Sequence, residues 1–203
     1  HLDLLSFPVC LRRKQLNPFI TDGWHARASG AENGQPINCY YKYYNNILNK
    51  KLAPFTRQTW FDAEGKCNAV TGLPGQPHLA SIANSEENGF VRDMLTNTYR
   101  EWTNRPVWIG ARKVGDKWGW SDGEDFTYTN WLPGEPTHDI NTREGPGFER
   151  CAQMSHSYID GPGKESRSVD HFAQDMGNDS SEWNDASCYK PRGYVCELCT
   201  TSF

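Results

Sequence analysis

The sequence predicts an α+β fold, with two early helices followed by a run of short strands. Two observations carry that reading. Apolar residues recur at spacings of three and four between Thr59 and Val70, and again after Ser85. From Val107 onward the pattern changes to short aromatic and β-branched runs separated by glycine and proline. Helices and strands segregated along a chain in this way form α+β domains rather than alternating βαβ units.

The elements follow in order. Residues 1–38 mix Pro8, Pro18, Gly23, Gly30, Gly34 and Pro36 with no sustained period, and read as an N-terminal extension to a domain over 39–199. Cys39-Tyr40-Tyr41-Lys42-Tyr43-Tyr44 has the aromatic content of a strand. Thr59 is an N-cap for a helix whose Trp60, Ala63, Glu64, Cys67 and Val70 share a face, and Gly72-Leu73-Pro74-Gly75 ends it. His78-Leu79-Ala80-Ser81-Ile82 is a short strand. Ser85-Glu86-Glu87-Asn88 opens the second helix, with acids in the first turn where the dipole favours them. Phe90, Val91, Met94 and Leu95 form its apolar face. Trp108-Ile109-Gly110-Ala111, Trp118-Gly119-Trp120 and Gly193-Tyr194-Val195-Cys196 are further strands, with a long glycine- and proline-rich tract between the last two. No internal repeat or low-complexity segment is visible.

Composition excludes several classes. The 203 residues suit one domain plus an extension. No apolar run approaches the ~18 residues of a membrane span. No charged leader opens the chain at His1, so any signal peptide is expected to have been removed. A net charge of −4 gives no support for a nucleic-acid partner, and Arg12-Arg13-Lys14 reads as solvated tail. The 7 cysteines are many for a cytosolic protein. Cys196-x-x-Cys199 lacks the second pair of a zinc module and the βαβ context of a redox motif. Structural disulfides in an oxidising, extracellular compartment explain them better. Asn178-Asp179-Ser180 is an N-glycosylation sequon, in keeping with a secreted chain. No Ser-His-Asp or Cys-His arrangement suggests catalysis.

The chemistry concentrates near Trp183-Asn184-Asp185, which Cys188 and Cys196 follow. An amide and a carboxylate behind a large aromatic anchor suit a hard cation. Ca²⁺ takes about 6–8 oxygen ligands, and Glu135 and Glu149 offer more oxygen from upstream.

These residues together resemble a C-type lectin-like domain. The matching pieces, in the family's order, are Trp60-x-x-Ala63-x-x-x-Cys67, residues 78–82, Trp108-Ile109-Gly110, Trp118-x-Trp120-x-Asp122-Gly123, Asn130-Trp131, Gly134-Glu135-Pro136, Cys151, Trp183-Asn184-Asp185, Cys188 and Cys196. The resemblance implies two helices and two small antiparallel sheets, a long ion-binding loop, and bridges Cys67–Cys196 and Cys151–Cys188. It makes Trp108, Trp120, Trp131 and Trp183 core residues. For Cys39 the expected partner is Cys10, which leaves Cys199 for an interchain bridge or a free thiol, and so for an oligomer built through Cys199 or the extension.

The family's sugar-binding members hold Ca²⁺ with a Glu-Pro-Asn triplet, a glutamate before the third core cysteine, and the Asn-Asp after the tryptophan. Carried onto this chain, the metal ligands are Glu135, Thr137, Glu149, Asn184 and Asp185, with Pro136 cis. Thr137 departs from the pattern, since a hydroxyl is a shorter and weaker ligand than an amide carbonyl. Two vicinal sugar hydroxyls would fill open positions on the ion, each bonded to side chains that share it. Glu135, Glu149, Asn184 and Asp185 are then the carbohydrate-binding residues, and Glu135 points to mannose-, fucose- or glucose-type diols. Arg112, Lys113 and Arg150 stand where acids would build an auxiliary ion site, so none is expected there, and Asp139 alone does not restore it. His138 reads as a solvated loop residue. The stretch 155–182 is a long acidic insert and reads as a solvated loop or as a partner-binding or ligand-selecting flap beside the sugar site. The reading from sequence is a secreted calcium-dependent lectin for glycans. The alternative is a structural or assembly module with the same fold and no sugar binding.

Overall fold

The computed structural model describes residues 23–32, 35–44, 57–98, 106–138, 148–154 and 181–201. Cys10, Asp139, Asn178 and residues 155–180 of the insert lie outside them. The element order is β1 (His25–Glu32), β2 (Gln35–Tyr44), α1 (Trp60–Asn68), β3 (His78–Leu79), α2 (Ser85–Thr98), β4 (Val107–Val114), β5 (Lys117–Trp120), β6 (Glu149–Met154), β7 (Trp183–Ser187) and β8 (Gly193–Thr201).

Local sequence explains the helices. At α1 the Thr59 hydroxyl accepts from the Asp62 N–H at 3.2 Å and donates to the Asp62 carboxylate at 2.7 Å, a reciprocal cap. At α2 the Asn84 side chain accepts from the Glu87 N–H at 2.9 Å. Glu64 ties α1 to β3, accepting from the Leu79 N–H at 2.8 Å and meeting His78 Nδ1 at 2.6 Å.

The strands run β1-β2-β8-β4-β6-β7, with β3 added on β8 and β5 on β4. All pairings are antiparallel except β4 with β8, where only Val107↔Gly193 and Trp108↔Tyr194 pair. That short parallel contact joins what the sequence reading took as two small sheets into one hydrogen-bonded path. The strands also begin at His25, inside the stretch read as an extension, and β1 pairs with β2 from His25↔Tyr41 onward.

Strand alternation divides the interior into two faces. Tyr41, Tyr43, Val107, Ile109, Ala152, Met154 and Val195 face α2, packing with Val91, Met94 and Leu95. Tyr40, Trp108, Cys151, Tyr194, Cys196 and Leu198 face α1, packing with Trp60, Ala63 and Cys67. Each helix therefore covers one side of the sheet. Trp183 is fully buried among Trp120, Tyr128 and Trp131, at ring separations of 5.5, 5.7 and 5.7 Å. Burying ~150–250 Å² of one such ring stabilises the fold by roughly 4–6 kcal/mol as an upper bound.

Three disulfides staple the sheet: Cys67–Cys196, Cys151–Cys188 and Cys39–Cys199. Each contributes about 3–5 kcal/mol in the chain-entropy account. The last corrects the expected Cys10–Cys39 pairing. Register decides it: β2 and β8 run antiparallel with Cys39 directly opposite Cys199, their Cα atoms 4.0 Å apart. With Cys199 bonded inside the chain, it is neither a free thiol nor an interchain bridge.

Beneath α2 lies a buried polar cluster. The Tyr41 hydroxyl donates to Glu87, and Glu197 lies 2.9 Å from the same oxygen. Glu197 also accepts from the Ser81 N–H at 2.8 Å, and Arg27 approaches Glu87 at 3.6 Å. Burial, reinforced by the Glu87 charge, pushes the Glu197 carboxyl up to about 8, and the same surroundings push the Tyr41 hydroxyl up.

Candidate functional site

The site forms where β7 meets the loop after β5. Trp183 anchors it. Its N–H donates to Asn130 O at 2.7 Å, its carbonyl accepts from the Leu132 N–H at 2.8 Å, and its indole Nε1 donates to Asn88 Oδ1 at 2.9 Å. Pairing of β7 with β6 sets Asp185 opposite Ala152, and Glu149 opposite Ser187. The next two side chains after the anchor are therefore delivered by a fixed strand.

Thr137 gathers three carboxylates. Its N–H donates to Glu135 Oε2 at 2.9 Å and to Asp185 Oδ1 at 3.2 Å, and its hydroxyl donates to Glu149 Oε2 at 3.2 Å. The Glu135–Pro136 peptide is cis. Asp185, Glu149 and Asn184 are buried. His138 completes the group: its N–H and its Nδ1 both reach Asp185 Oδ2 at 2.9 Å, and its ring lies 5.9 Å from Trp118. Nothing in the local sequence signals this role, since Asp185 lies 47 positions away.

The electrostatics ask for positive charge. Burial, with Asp185 close by, pushes the Glu135 carboxyl up to about 7. Asn184 Oδ1 is buried without a hydrogen-bond partner. An acceptor left so costs about 1–3 kcal/mol. Three carboxylates, a hydroxyl and an amide carbonyl are hard oxygen donors of the kind Ca²⁺ takes. Glu135, Thr137, Glu149, Asn184 and Asp185 thus fit such an ion, which would supply the missing charge and offer open positions to hydroxyl ligands. Of the cations at the expected auxiliary-site positions, Arg112 lies over the Trp60 and Phe61 rings and Arg150 over Phe148.

A disulfide-stapled α+β domain, with an oxygen-rich loop site beside a buried Trp-Asn-Asp strand, defines a lectin-type binding module. Residues 56–198 match the family described as the Lectin C-type domain, and the chain belongs to that family. It is 30% identical over 167 residues to an alpha-N-acetylgalactosamine-specific lectin of Patiria pectinifera, covering 81% of this chain and 76% of that protein. It is 27% identical over 143 residues to perlucin of Haliotis laevigata, covering 70% of each. The fold is also that of the C-type lectin CEL-I from Cucumaria echinata, with a TM-score of 0.58 at 20% identity over 89% of this chain and 96% of that one. Human lithostathine shares it, with a TM-score of 0.57 at 19% identity over 88% and 90%. The family has carbohydrate-binding members and is normally non-enzymatic. No helix among the described residues is long and apolar enough to cross a membrane.

Proposed function

We propose that the chain is a secreted, calcium-dependent lectin in which Glu135, Thr137, Glu149, Asn184 and Asp185 hold one Ca²⁺ and glycan hydroxyls complete its shell. The observation that carries this reading is the Asn184 carbonyl oxygen, buried without a donor on the residue that precedes Asp185. Glu135, Glu149, Asn184 and Asp185 then contact the sugar as well as the ion. Glu135 favours mannose-type diols, whereas the Patiria relative is named for α-N-acetylgalactosamine. The cysteine usage and the sequon at Asn178 support an extracellular location.

A second reading has its own support. Thr137 and His138 donate hydrogen bonds to oxygens of Glu135, Glu149 and Asp185. A site closed on itself in this way suits a protein-binding or assembly module. Calorimetric titration of Ca²⁺ into chelator-treated protein separates the two. Heat of Ca²⁺ binding, followed by binding of mannose, fucose, galactose or N-acetylgalactosamine to the calcium form, supports the lectin and names its sugar class. Asn184→Ala is expected to abolish both signals. Absence of Ca²⁺ binding in the unaltered protein would leave the second reading.

A further inference from the structure

Away from the oxygen-rich loop, the β4–β5 hairpin carries a different chemistry. Antiparallel register pairs Val114 with Lys117 and Arg112 with Gly119, so Arg112, Val114 and Lys117 project from one face. That face meets the first turn of α1. The Arg112 guanidinium lies 5.7 Å from the Trp60 ring centre and 5.1 Å from that of Phe61. A cavity of about 300 Å³ opens there, lined by Trp60, Arg112, Val114, Lys117 and Trp118 among others. Val114 in its lining is 65% accessible; Phe61, under the Arg112 guanidinium, is 42% accessible, and Tyr189, ring-to-ring 5.9 Å from Phe61, is 61%.

The charges point to the occupant. Among the described residues neither Arg112 nor Lys117 has a carboxylate within ion-pair distance, and no acid lines the cavity. Asp62, on the same turn of α1, is held by the Thr59 hydroxyl. Asp116 sits in the hairpin turn itself, outside the lining. Arg112 over the rings of buried Trp60 and exposed Phe61, with Lys117 on the same hairpin face, forms a local exception on a chain whose net charge is −4. Aromatic faces accept the flat C–H face of a pyranose ring. A planar guanidinium with a neighbouring ammonium accepts a sulfate or carboxylate. An acidic peptide would answer the charge but leave the exposed Phe61 ring beside Arg112 unused.

We infer that this cavity is a second glycan subsite, specific for saccharides bearing a sulfate ester or uronate, and independent of calcium. The proposal does not rest on the ion site, since the cavity contains none of its residues. Trp118 alone is shared, lining the cavity while its ring contacts His138.

The test is surface-plasmon binding of the full chain, in excess chelator, to dextran sulfate, uncharged dextran and polyglutamate. Dextran sulfate is expected to bind and the other two at least tenfold more weakly. The double variant Arg112→Gln/Lys117→Gln should lose at least tenfold in affinity, while Asn184→Ala keeps it. Arg112→Lys, which keeps the charge but loses the planar fork, should fall between. Lys117 is exposed, so Lys117→Gln alone gives a several-fold loss even where the double variant fails to fold. Equal binding of polyglutamate would overturn the proposal. So would binding that survives in Lys117→Gln and Arg112→Lys, binding that requires Ca²⁺ and is lost in Asn184→Ala, or no binding of dextran sulfate.

Discussion

His138 Nδ1 and the His138 backbone N–H converge on one oxygen of Asp185, each at 2.9 Å, and the Asp185 side chain has no exposure to solvent. A buried carboxylate is therefore oriented by a neighbour that itself packs on Trp118. Groups that orient metal ligands in this way are typically worth about 10–100-fold in metal affinity. His138 has φ 58, a region that asparagine also tolerates. His138→Asn is accordingly expected to fold normally and to weaken Ca²⁺ binding about tenfold by calorimetry. Unchanged affinity would remove His138 from the site.

Glu197 makes stability depend on pH. Its carboxyl titrates near 8 in the folded protein, against 4.5 as its ordinary value. The folded state thus holds this proton more tightly than the unfolded chain. The contribution is fully present below about pH 4.5 and is lost as pH rises through about 8. In chelator, the urea midpoint of the unaltered protein should fall over that window more than that of Glu197→Gln. Parallel curves would show that Glu197 is not the titrating group.

Replacing both Cys39 and Cys199 with alanine removes a link between residues 160 apart in sequence. The expected loss is about 2–5 kcal/mol, read from urea unfolding. Six of the 7 cysteines are paired within the chain. Alkylation of the unreduced, denatured protein should therefore modify at most Cys10.

Gly110 has little room to change. A Cβ there would come within 2.5 Å of the Leu79 carbonyl and 3.2 Å of the Ala80 carbonyl, both backbone atoms. The Gly110 N–H already donates to Ala80 O at 2.8 Å. Gly110→Ala should cost about 1–3 kcal/mol through displaced backbone. A thermal midpoint equal to that of the unaltered protein would show that the segment at 79–80 yields freely.

Local signals carried most of the fold. Thr59 reads as a cap because its bond to Asp62 spans three residues, and the apolar face of α2 shows in Val91, Met94 and Leu95 for the same reason. The ion-site residues were legible because a resemblance placed them together, and the structure gathers Glu135, Glu149 and Asp185 on Thr137. What stayed hidden depends on distant partners. Gln35 to Asn38 lack apolar alternation and form strand because β1 pairs with Gln35, Pro36 and Asn38 and β8 pairs from Ile37 onward. The Cys39–Cys199 bridge follows from that register. The Glu87–Tyr41–Glu197 cluster joins α2, β2 and β8 across 46 and 156 positions of sequence.

Trp118, Trp131, Trp183 and Trp120 stand in successive contact, with ring centres 4.8, 5.7 and 5.5 Å apart. Indoles this close share electronic excitation, so light absorbed anywhere along the series is emitted as a collective property. The series passes through Trp183, sealed in the interior behind Asn184 and Asp185, and one of its ends is the buried Trp120. The other is Trp118, which borders both His138 and the cationic cavity. The interior of the protein is thus linked to its rim, and a change in its own fluorescence, without any added label, is the expected signal of a ligand bound at either place.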